Sequence, residues 1–234
     1  MDKDELIDAN KVIDIVKLKF YNEYLYTQHM YDEEQASWHQ LLTEQVVAQY
    51  IDPLDLPKDA QIADLGCGPG YFLDEMKKRE YQNVVGVTLS PNDYKSNIEK
   101  GHNVKRYDFT WLPQTDGFED EKFDLVFIRH TLEHSPYPIF TLMEINRILK
   151  QNGKVYVETP APLNDRPHEF NLNHYSIFDA QMLIALMLRT GFEITIVNNL
   201  EFDLHDTRPD HEKETYKEKY YCILAKKVKP LDVK

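Results

Sequence analysis

The sequence predicts a doubly wound α/β fold, an open and mainly parallel sheet with helices on both faces. Short apolar runs alternate with helical segments after residue 57, and those helical segments carry capping residues. This alternation favours parallel strands that are covered on both sides. Two further apolar runs near the C-terminus have no helical segment between them, which predicts an antiparallel pair. With 234 residues, 42% of them apolar, the chain can bury one sizeable core.

Each element of this fold has its own local pattern. Five apolar runs read as successive strands: QIADLG, NVVGVTL, NVKRYDF, FDLVFIR and KVYVETP. Helices are expected from about Tyr71, from Ser90-Pro91 to Gly101, and from about Pro138 to Lys150 with Gly153 as its stop. A last helix is expected between a capping pair, Ser176 and Asp179, and a stop at Gly191. FEITIVNN and KYYCILAKK then form the antiparallel pair, with residues 201–218 as a polar loop.

The residues before the sheet predict an N-terminal helical cap that belongs to the same domain. We place the cap at residues 1–55 and the sheet-containing part at residues 56–234. Apolar positions between Glu5 and Phe20 recur at helical spacing, as they do between Trp38 and Ile51. The tyrosine-rich stretch between these helices has no clean period and is interpreted as a connection.

The amino-acid composition limits the kinds of molecule and membrane that the protein is expected to contact. The net charge of −13, without a basic patch, disfavours nucleic acid. No apolar run approaches the roughly 20 residues that cross a bilayer. The two cysteines do not suggest a disulfide framework, and no basic-then-apolar leader opens the sequence. We therefore expect a cytoplasmic protein without membrane contact, and leave its oligomeric state open.

The stretch IADLGCGPGYFLDEMKK, residues 62–78, raises the question of what its glycine loop binds. A phosphate-binding P-loop needs Lys followed by Ser or Thr after the last glycine, but Tyr71 and Phe72 follow Gly70. A dinucleotide fingerprint places its third glycine one residue later and ends the next strand in an acid, whereas this strand ends in Thr88. The P-loop interpretation therefore fails, and both the glycine spacing and Thr88 disfavour an NAD-type site.

The segment DLGCGPG resembles the first motif of the class I S-adenosylmethionine-dependent methyltransferases. VVGVTLSP, YDF, FDLVFIRHTLEH and EINRILKQNGKVYVETP resemble the later motifs of the family, in order, over roughly residues 60–227. The resemblance implies a Rossmann-like methyltransferase fold of about seven strands, with S-adenosylmethionine as the cofactor. A glycine loop suits the cofactor's methionine end, which must approach backbone N–H groups at a helix N-terminus.

The resemblance also implies which residues contact the cofactor. Asp64 is expected near the methionine portion, Asp108 at the adenine amino group, and Thr88 in place of the acid that usually holds the ribose. A hydroxyl makes a weaker contact than a carboxylate, so cofactor affinity is expected to be reduced. The full expected set is Asp64, Gly66, Cys67, Gly68, Gly70, Thr88, Leu89, Asp108, Phe109, Arg129 and His130.

Methyl transfer needs alignment of donor and acceptor, and a base where the acceptor loses a proton. His134 and His174 are the candidate bases. Tyr21, Tyr24, Tyr26 and His168 are expected to line the acceptor side. No metal is expected, because the H-E-x-x-H order is absent around Glu133. The leading hypothesis is a methyltransferase for a small-molecule hydroxyl or amine; the alternatives are a non-catalytic cofactor-binding module and, third, an NAD-type oxidoreductase.

Overall fold

A single seven-stranded sheet organises the part of the chain that the computed structural model describes, residues 37–165, 167–205 and 215–230. The strand order is β3-β2-β1-β4-β5-β7-β6, and only β7 runs antiparallel to its neighbours. The strands are β1 (Gln61–Leu65), β2 (Asn83–Val87), β3 (Val104–Lys105), β4 (Phe123–Arg129), β5 (Leu149–Pro160), β6 (Phe192–His205) and β7 (Thr215–Lys227). The predicted doubly wound fold is confirmed.

Five α-helices accompany this sheet within the described residues. They are α1 (Ser37–Val46), α2 (Tyr71–Lys78), α3 (Pro91–Glu99), α4 (Pro138–Ile148) and α5 (Ala180–Arg189). A π-helical turn, Val47–Ile51, and short 3-10 turns at Asp52–Leu54, Leu132–His134 and His168–Phe170 complete the set. None of these helices combines the length and apolar character needed to cross a bilayer.

The predicted caps are partly confirmed. The Ser90 hydroxyl accepts from the backbone N–H of Asp93 at 3.1 Å and begins α3, and the Asp179 carboxylate accepts from the N–H of Met182 at 2.7 Å and begins α5. The pairing of Ser176 with Asp179 is wrong, because the Ser176 hydroxyl donates to the carbonyl of Ser135 at 3.1 Å. That bond ties the loop before α5 to the turn after β4.

Three strand boundaries differ from expectation. Helix α4 ends at Ile148 and β5 follows at once, so Gly153 lies inside the strand instead of stopping the helix. Strands β6 and β7 also extend into the polar stretch 201–218, because their backbones continue to pair as far as His205 and Thr215. In contrast, β3 has only two residues.

Both faces of the sheet are covered by apolar side chains. One core cluster joins sheet residues to α4 and α5 through Leu142, Ile145, Leu183 and Met187. The other joins them to α1, the π-helical turn and α2 through Val46, Val47, Tyr50, Phe72 and Met76. Residues 37–55 are the described part of the expected cap, and their apolar side chains share the core of the sheet. The remainder of the cap, with Tyr21, Tyr24 and Tyr26, lies outside the described residues.

Candidate cofactor cleft and histidine cluster

The glycine loop connects the carboxyl end of β1 to α2. Gly66, Gly68 and Gly70 all have positive φ angles, +77°, +47° and +89°, which side chains other than glycine rarely adopt. The backbone N–H groups of Gly66 and Cys67 donate to the Val87 carbonyl at 2.8 and 2.9 Å. The loop is thereby fixed against the end of β2.

A cleft opens beside this loop, where the carboxyl ends of the neighbouring strands β1 and β4 meet. Ligands of open α/β sheets bind at this kind of position, since the chain continues to opposite sides of β1. The lining residues are His39, Thr43, Asp64, Gly66, Cys67, Gly68, Pro69, Tyr71, Phe72, Phe127, Arg129 and His130. Six of the expected cofactor residues are therefore brought together: Asp64, Gly66, Cys67, Gly68, Arg129 and His130.

Asp64 presents a buried carboxyl group to the cleft. Only 3% of the residue is exposed, and among the described residues the charge of Arg129 is what counteracts the burial of its carboxyl. Burial raises the pKa of Asp64 to about 8, and the positive charge of Arg129 offsets only part of that effect. Asp64 is therefore largely protonated at neutral pH until a cation enters the cleft.

Arg129 brings a guanidinium to the same cleft. Its Nε donates to Glu158 Oε1 at 2.8 Å and its Nη1 donates to the Thr43 hydroxyl at 3.3 Å. Its Nη2 is buried and donates to no atom of the described residues. A buried donor without an acceptor is costly, so this position suits an anionic ligand group.

Glu158, the partner of Arg129, is a buried residue of the site that the sequence analysis did not identify. Its side chain is fully buried at the end of β5, and the Tyr156 hydroxyl donates to it. Burial opposes ionisation, but the charge of Arg129 and the contact with His130 lower the pKa of Glu158 to about 2. The available signal was a lone acid inside the apolar run KVYVETP, because buried acids are almost always paired.

His130 connects the cleft to a second group of titratable side chains. It has a positive φ angle of +49°, and its Nε2 lies 3.0 Å from Glu158 Oε1 in a direction unsuited to a hydrogen bond. Its Nδ1 lies 3.7 Å from Glu133 Oε1. Burial, aided by the charge of Arg129, lowers the pKa of His130, so the ring is neutral.

His134, His168 and His174 form a histidine cluster beyond His130. The rings of His134 and His174 meet edge to face at 4.8 Å, and His168 stacks on His174 at 5.4 Å. Burial lowers the pKa of His134 and, together with the neighbouring histidines, lowers the pKa of His174 to about 3. Both expected bases are thus neutral at pH 7, and their rings are in contact.

Gly70, at the start of α2, and the expected residues after β2 and β3 lie outside the lining of this cleft. The Thr88 hydroxyl oxygen accepts from the N–H of Ser90 at 3.1 Å, and Asp108 accepts from the N–H of Thr110 at 2.8 Å. Leu89 follows Thr88, and Phe109 is 7% exposed and packs in the core. Because these residues follow β2 and β3, they lie along the same edge of the sheet as the cleft; their contact with a ligand stays a prediction.

Two lining residues of α1 were also missed. Thr43 donates its hydroxyl to the His39 carbonyl at 2.8 Å while accepting from Arg129, and His39 stands one turn earlier on the same face. The helix itself was predicted from its apolar positions. The packing of α1 decides which of its polar side chains face the cleft. The periodicity of apolar residues does not predict that packing.

Comparisons with known proteins agree with this architecture. A family model described as a methyltransferase domain matches residues 35–197, more than half of the chain. The tRNA U34 carboxymethyltransferase of Aliarcobacter butzleri is 30% identical over 105 residues, which are 44% of this chain and 34% of that protein. The sterol 4-C-methyltransferase strm-1 of Caenorhabditis elegans is 29% identical over 182 residues, 74% of this chain and 54% of that protein. The chain thus spans about a third to a half of the length of these relatives.

The solved structures show the same fold. A SAM-dependent methyltransferase from Archaeoglobus fulgidus superposes with a TM-score of 0.62 at 19% identity, covering 89% of this chain and 99% of that one. At this level of identity, the likeness concerns the fold alone.

Proposed function

Because the chain belongs to the methyltransferase-domain family, we propose that it binds S-adenosylmethionine in the glycine-loop cleft and transfers the methyl group to an acceptor. The resemblance to class I S-adenosylmethionine-dependent methyltransferases is confirmed at the level of family and fold. The cofactor supplies an electrophilic methyl group on a sulfonium. The residues of this chain bind and orient that cofactor, and they take up the proton that the acceptor loses.

The observation that carries the proposal is an acid and a guanidinium in one buried cleft, each with unused hydrogen-bonding capacity. Arg129 Nη2 lacks an acceptor among the described residues, and the Asp64 carboxyl is buried with no hydrogen bond contributing to its raised pKa. An α-amino acid end offers both complements, a carboxylate for Arg129 and an ammonium for Asp64. A nucleotide phosphate would also pair with Arg129. It would, however, either be repelled by an ionised Asp64 or require Asp64 to remain protonated.

The adenosine part is proposed to lie along the edge of the sheet towards β2 and β3. Asp108 would accept from the adenine amino group, and Thr88 and Leu89 would border the ribose. Since the Thr88 oxygen already accepts from Ser90, it offers the ribose a single weak contact. We expect Thr88→Asp to retain or improve cofactor binding, because a carboxylate is the stronger acceptor for the ribose and can also accept from the Ser90 N–H.

The histidine cluster is proposed to face the acceptor. His134 and His174 are neutral, so either can accept a proton from a hydroxyl or an amine as it attacks the methyl carbon. His168, held by Glu218 at 2.7 Å, supports this wall. The lid role of Tyr21, Tyr24 and Tyr26 stays a prediction.

A small molecule with a hydroxyl or amine is the proposed acceptor. The relatives act on a tRNA base and on a sterol carbon by their names, so family membership leaves the acceptor open. The net charge of −13 argues against a polyanionic RNA, since binding would have to overcome repulsion. Hydroxyl and amine acceptors lose a proton when they are methylated. A neutral histidine side chain can accept that proton, which favours acceptors of this kind.

An acceptor screen with isotopically labelled methyl donor tests this function. The protein is incubated with S-adenosylmethionine carrying a 13CD3 group and fractionated metabolite pools, and products are identified by mass spectrometry. We expect S-adenosylhomocysteine and a labelled small molecule. At a limiting donor concentration both should be strongly reduced in Arg129→Lys and unchanged in His102→Gln, a histidine paired with Asp74 outside the cleft lining. Binding of the donor without any labelled product would support the non-catalytic module, and binding of NAD alone would support the oxidoreductase.

A further inference from the structure

We propose that Glu133, His134 and His174 bind a divalent transition-metal ion next to the cofactor cleft. One ligand atom from each residue lies within 4.8 Å of the other two. Bonds of about 2.1 Å place neighbouring ligands roughly 3 to 4 Å apart, so a contraction of about 1 Å completes the set. The sequence analysis expected no metal because the H-E-x-x-H order is absent. In the structure the third ligand, His174, comes from the loop after β5, far from the other two along the chain.

The hydrogen bonds of both imidazoles favour this role. His134 Nδ1 lies 2.9 Å from the Asn173 carbonyl oxygen, and His174 Nδ1 lies 3.0 Å from the His168 carbonyl oxygen. A carbonyl accepts only, so each Nδ1 carries the proton and each Nε2 has the free lone pair. Metal-binding histidines are oriented in this way. The Asn171 amide, 3.3 Å from His174 Nε2, is a loose contact that an ion would replace.

The backbone holds the three ligands together before any ion arrives. The Glu133 carbonyl accepts from the N–H groups of Tyr175 and Ser176 at 2.7 and 3.1 Å. The Ser176 hydroxyl donates to the Ser135 carbonyl at 3.1 Å. The loop that carries His174 is thus fixed to the turn that carries Glu133 and His134, and a site with fixed ligands loses little entropy on binding.

A further layer of contacts supports the ligand set. His168 stacks on His174 with an interplanar angle of 12°, and its Nε2 lies 2.7 Å from Glu218 Oε2. Glu218 is 1% exposed, so this contact anchors the wall from β7. Three protein ligands leave at least one coordination position for an oxygen or nitrogen of the acceptor.

The donor set selects the class of metal. Two imidazole nitrogens and one carboxylate suit Zn²⁺, Fe²⁺, Co²⁺ or Ni²⁺, whereas Mg²⁺ and Ca²⁺ prefer oxygen ligands alone. The position next to His130 places the ion between the cofactor cleft and the proposed acceptor side. This location rests on the proposed function; the metal site itself does not. With the ion bound, His134 and His174 would be ligands instead of bases, because each has its only free lone pair on Nε2.

Titration of metal-free protein with Co²⁺ tests the site without any methyl donor. We expect one equivalent of Co²⁺ with visible ligand-field absorption, a higher melting temperature, and competition by Zn²⁺. His134→Ala and His174→Ala should each weaken binding at least tenfold and abolish the absorption band. Glu133→Gln should weaken it as well, while His102→Gln should bind like the wild type.

Two results would overturn the metal site. One is equal Co²⁺ binding by the wild type and by both alanine variants, with circular dichroism confirming that they fold. The other is absence of a stoichiometric Co²⁺ complex in the wild type, which would leave the two neutral histidines as proton acceptors. Either result leaves S-adenosylmethionine binding untouched, since calorimetry with S-adenosylhomocysteine measures that separately.

Discussion

Burial raises the pKa of Asp64 to about 8, although Arg129 lies in the same cleft and favours the ionised form. The free chain therefore keeps this carboxyl mostly protonated at pH 7. An incoming ammonium group would stabilise the carboxylate and release the proton. Cofactor binding and proton release should thus be coupled through one side chain.

The coupling gives cofactor affinity a pH dependence. Between pH 7.5 and pH 6 the ligand's amino group, with an ordinary pKa near 8, is largely charged while Asp64 becomes increasingly protonated. We expect S-adenosylhomocysteine affinity to fall about tenfold per pH unit over this range, with proton release seen as buffer-dependent calorimetric heat. Asp64→Asn should bind more weakly at pH 7.5 and show a flat profile, and an equally steep profile in that variant would refute the role of Asp64.

The same carboxyl should affect stability in the opposite direction. A carboxyl whose pKa is raised in the folded state stabilises the fold below the unfolded pKa of about 4, and this contribution is lost as pH rises towards 8. Asparagine mimics the neutral form at every pH. The melting temperature of the ligand-free Asp64→Asn variant should therefore exceed that of the wild type by a margin that grows from pH 5 to pH 8. A constant margin would place the ionisation elsewhere.

Arg129 should discriminate between ligands with and without an amino acid end. Lysine keeps the charge but cannot reach Glu158, Thr43 and a ligand carboxylate together. Arg129→Lys should weaken S-adenosylhomocysteine binding roughly 10- to 100-fold, as loss of a charge-assisted bond does. Binding of 5′-methylthioadenosine, which lacks the amino acid end, should change little; an equal loss for both ligands would mean that the substitution distorted the whole cleft.

The glycine loop depends on β2 as well as on its own residues. A Cβ added at Gly86 in β2 would lie 2.9 Å from the sulfur of Cys67 and 2.9 Å from a methyl group of Leu73. The missing side chain at Gly86 therefore makes room for the loop and for the first turn of α2. Nothing in the sequence near Gly86 indicates this, because the contact crosses from one strand to the next connection.

Gly86→Ala should displace the loop and weaken the cofactor site. Such overpacking costs about 1–3 kcal/mol of folding stability. We expect at least tenfold weaker S-adenosylhomocysteine binding, measured by calorimetry. The Cys67→Ala/Gly86→Ala double variant should recover part of it because the sulfur is gone, whereas Cys67→Ala alone should bind nearly normally; the absence of any recovery would contradict the packing explanation.

Local signals predicted elements well and their pairing less well. Ser90 and Asp179 were correctly identified as caps, since a cap acts within three residues of itself. Ser176 was misassigned because its partner, Ser135, is distant in sequence. Strands β6 and β7 run beyond their apolar residues because backbone pairing continues through polar side chains, which alternation of apolar residues does not reveal.

The site residues divide in the same way into those that a local motif predicted and those that depend on distant contacts. Asp64, the glycines, Arg129 and His130 were predicted because motif resemblance fixes them together. Glu158 was missed, and His174 was not grouped with Glu133 and His134, because these contacts depend on the β5 end and its following loop approaching the β4 end. Sequence patterns did not predict contacts between residues that are adjacent in the sheet but distant along the chain.

The described cleft draws on residues from His39 onward, and the described core clusters draw on residues from Val46 onward. A chain of residues 32–234 should therefore fold and keep measurable S-adenosylhomocysteine affinity. If Tyr21, Tyr24 and Tyr26 close over the acceptor as predicted, turnover on an identified acceptor should be lost in this shorter chain. Full turnover by residues 32–234 would exclude the lid.

Calorimetry of the full chain with S-adenosylhomocysteine, 5′-methylthioadenosine and NAD at pH 7.5 tests the proposed cofactor site most directly. We predict one binding site, with S-adenosylhomocysteine bound at least tenfold more tightly than 5′-methylthioadenosine because only the former reaches Asp64 and Arg129. NAD should not compete. Equal affinity for the first two ligands, or binding of NAD in place of both, would contradict the assignment of this cleft to the methyl donor.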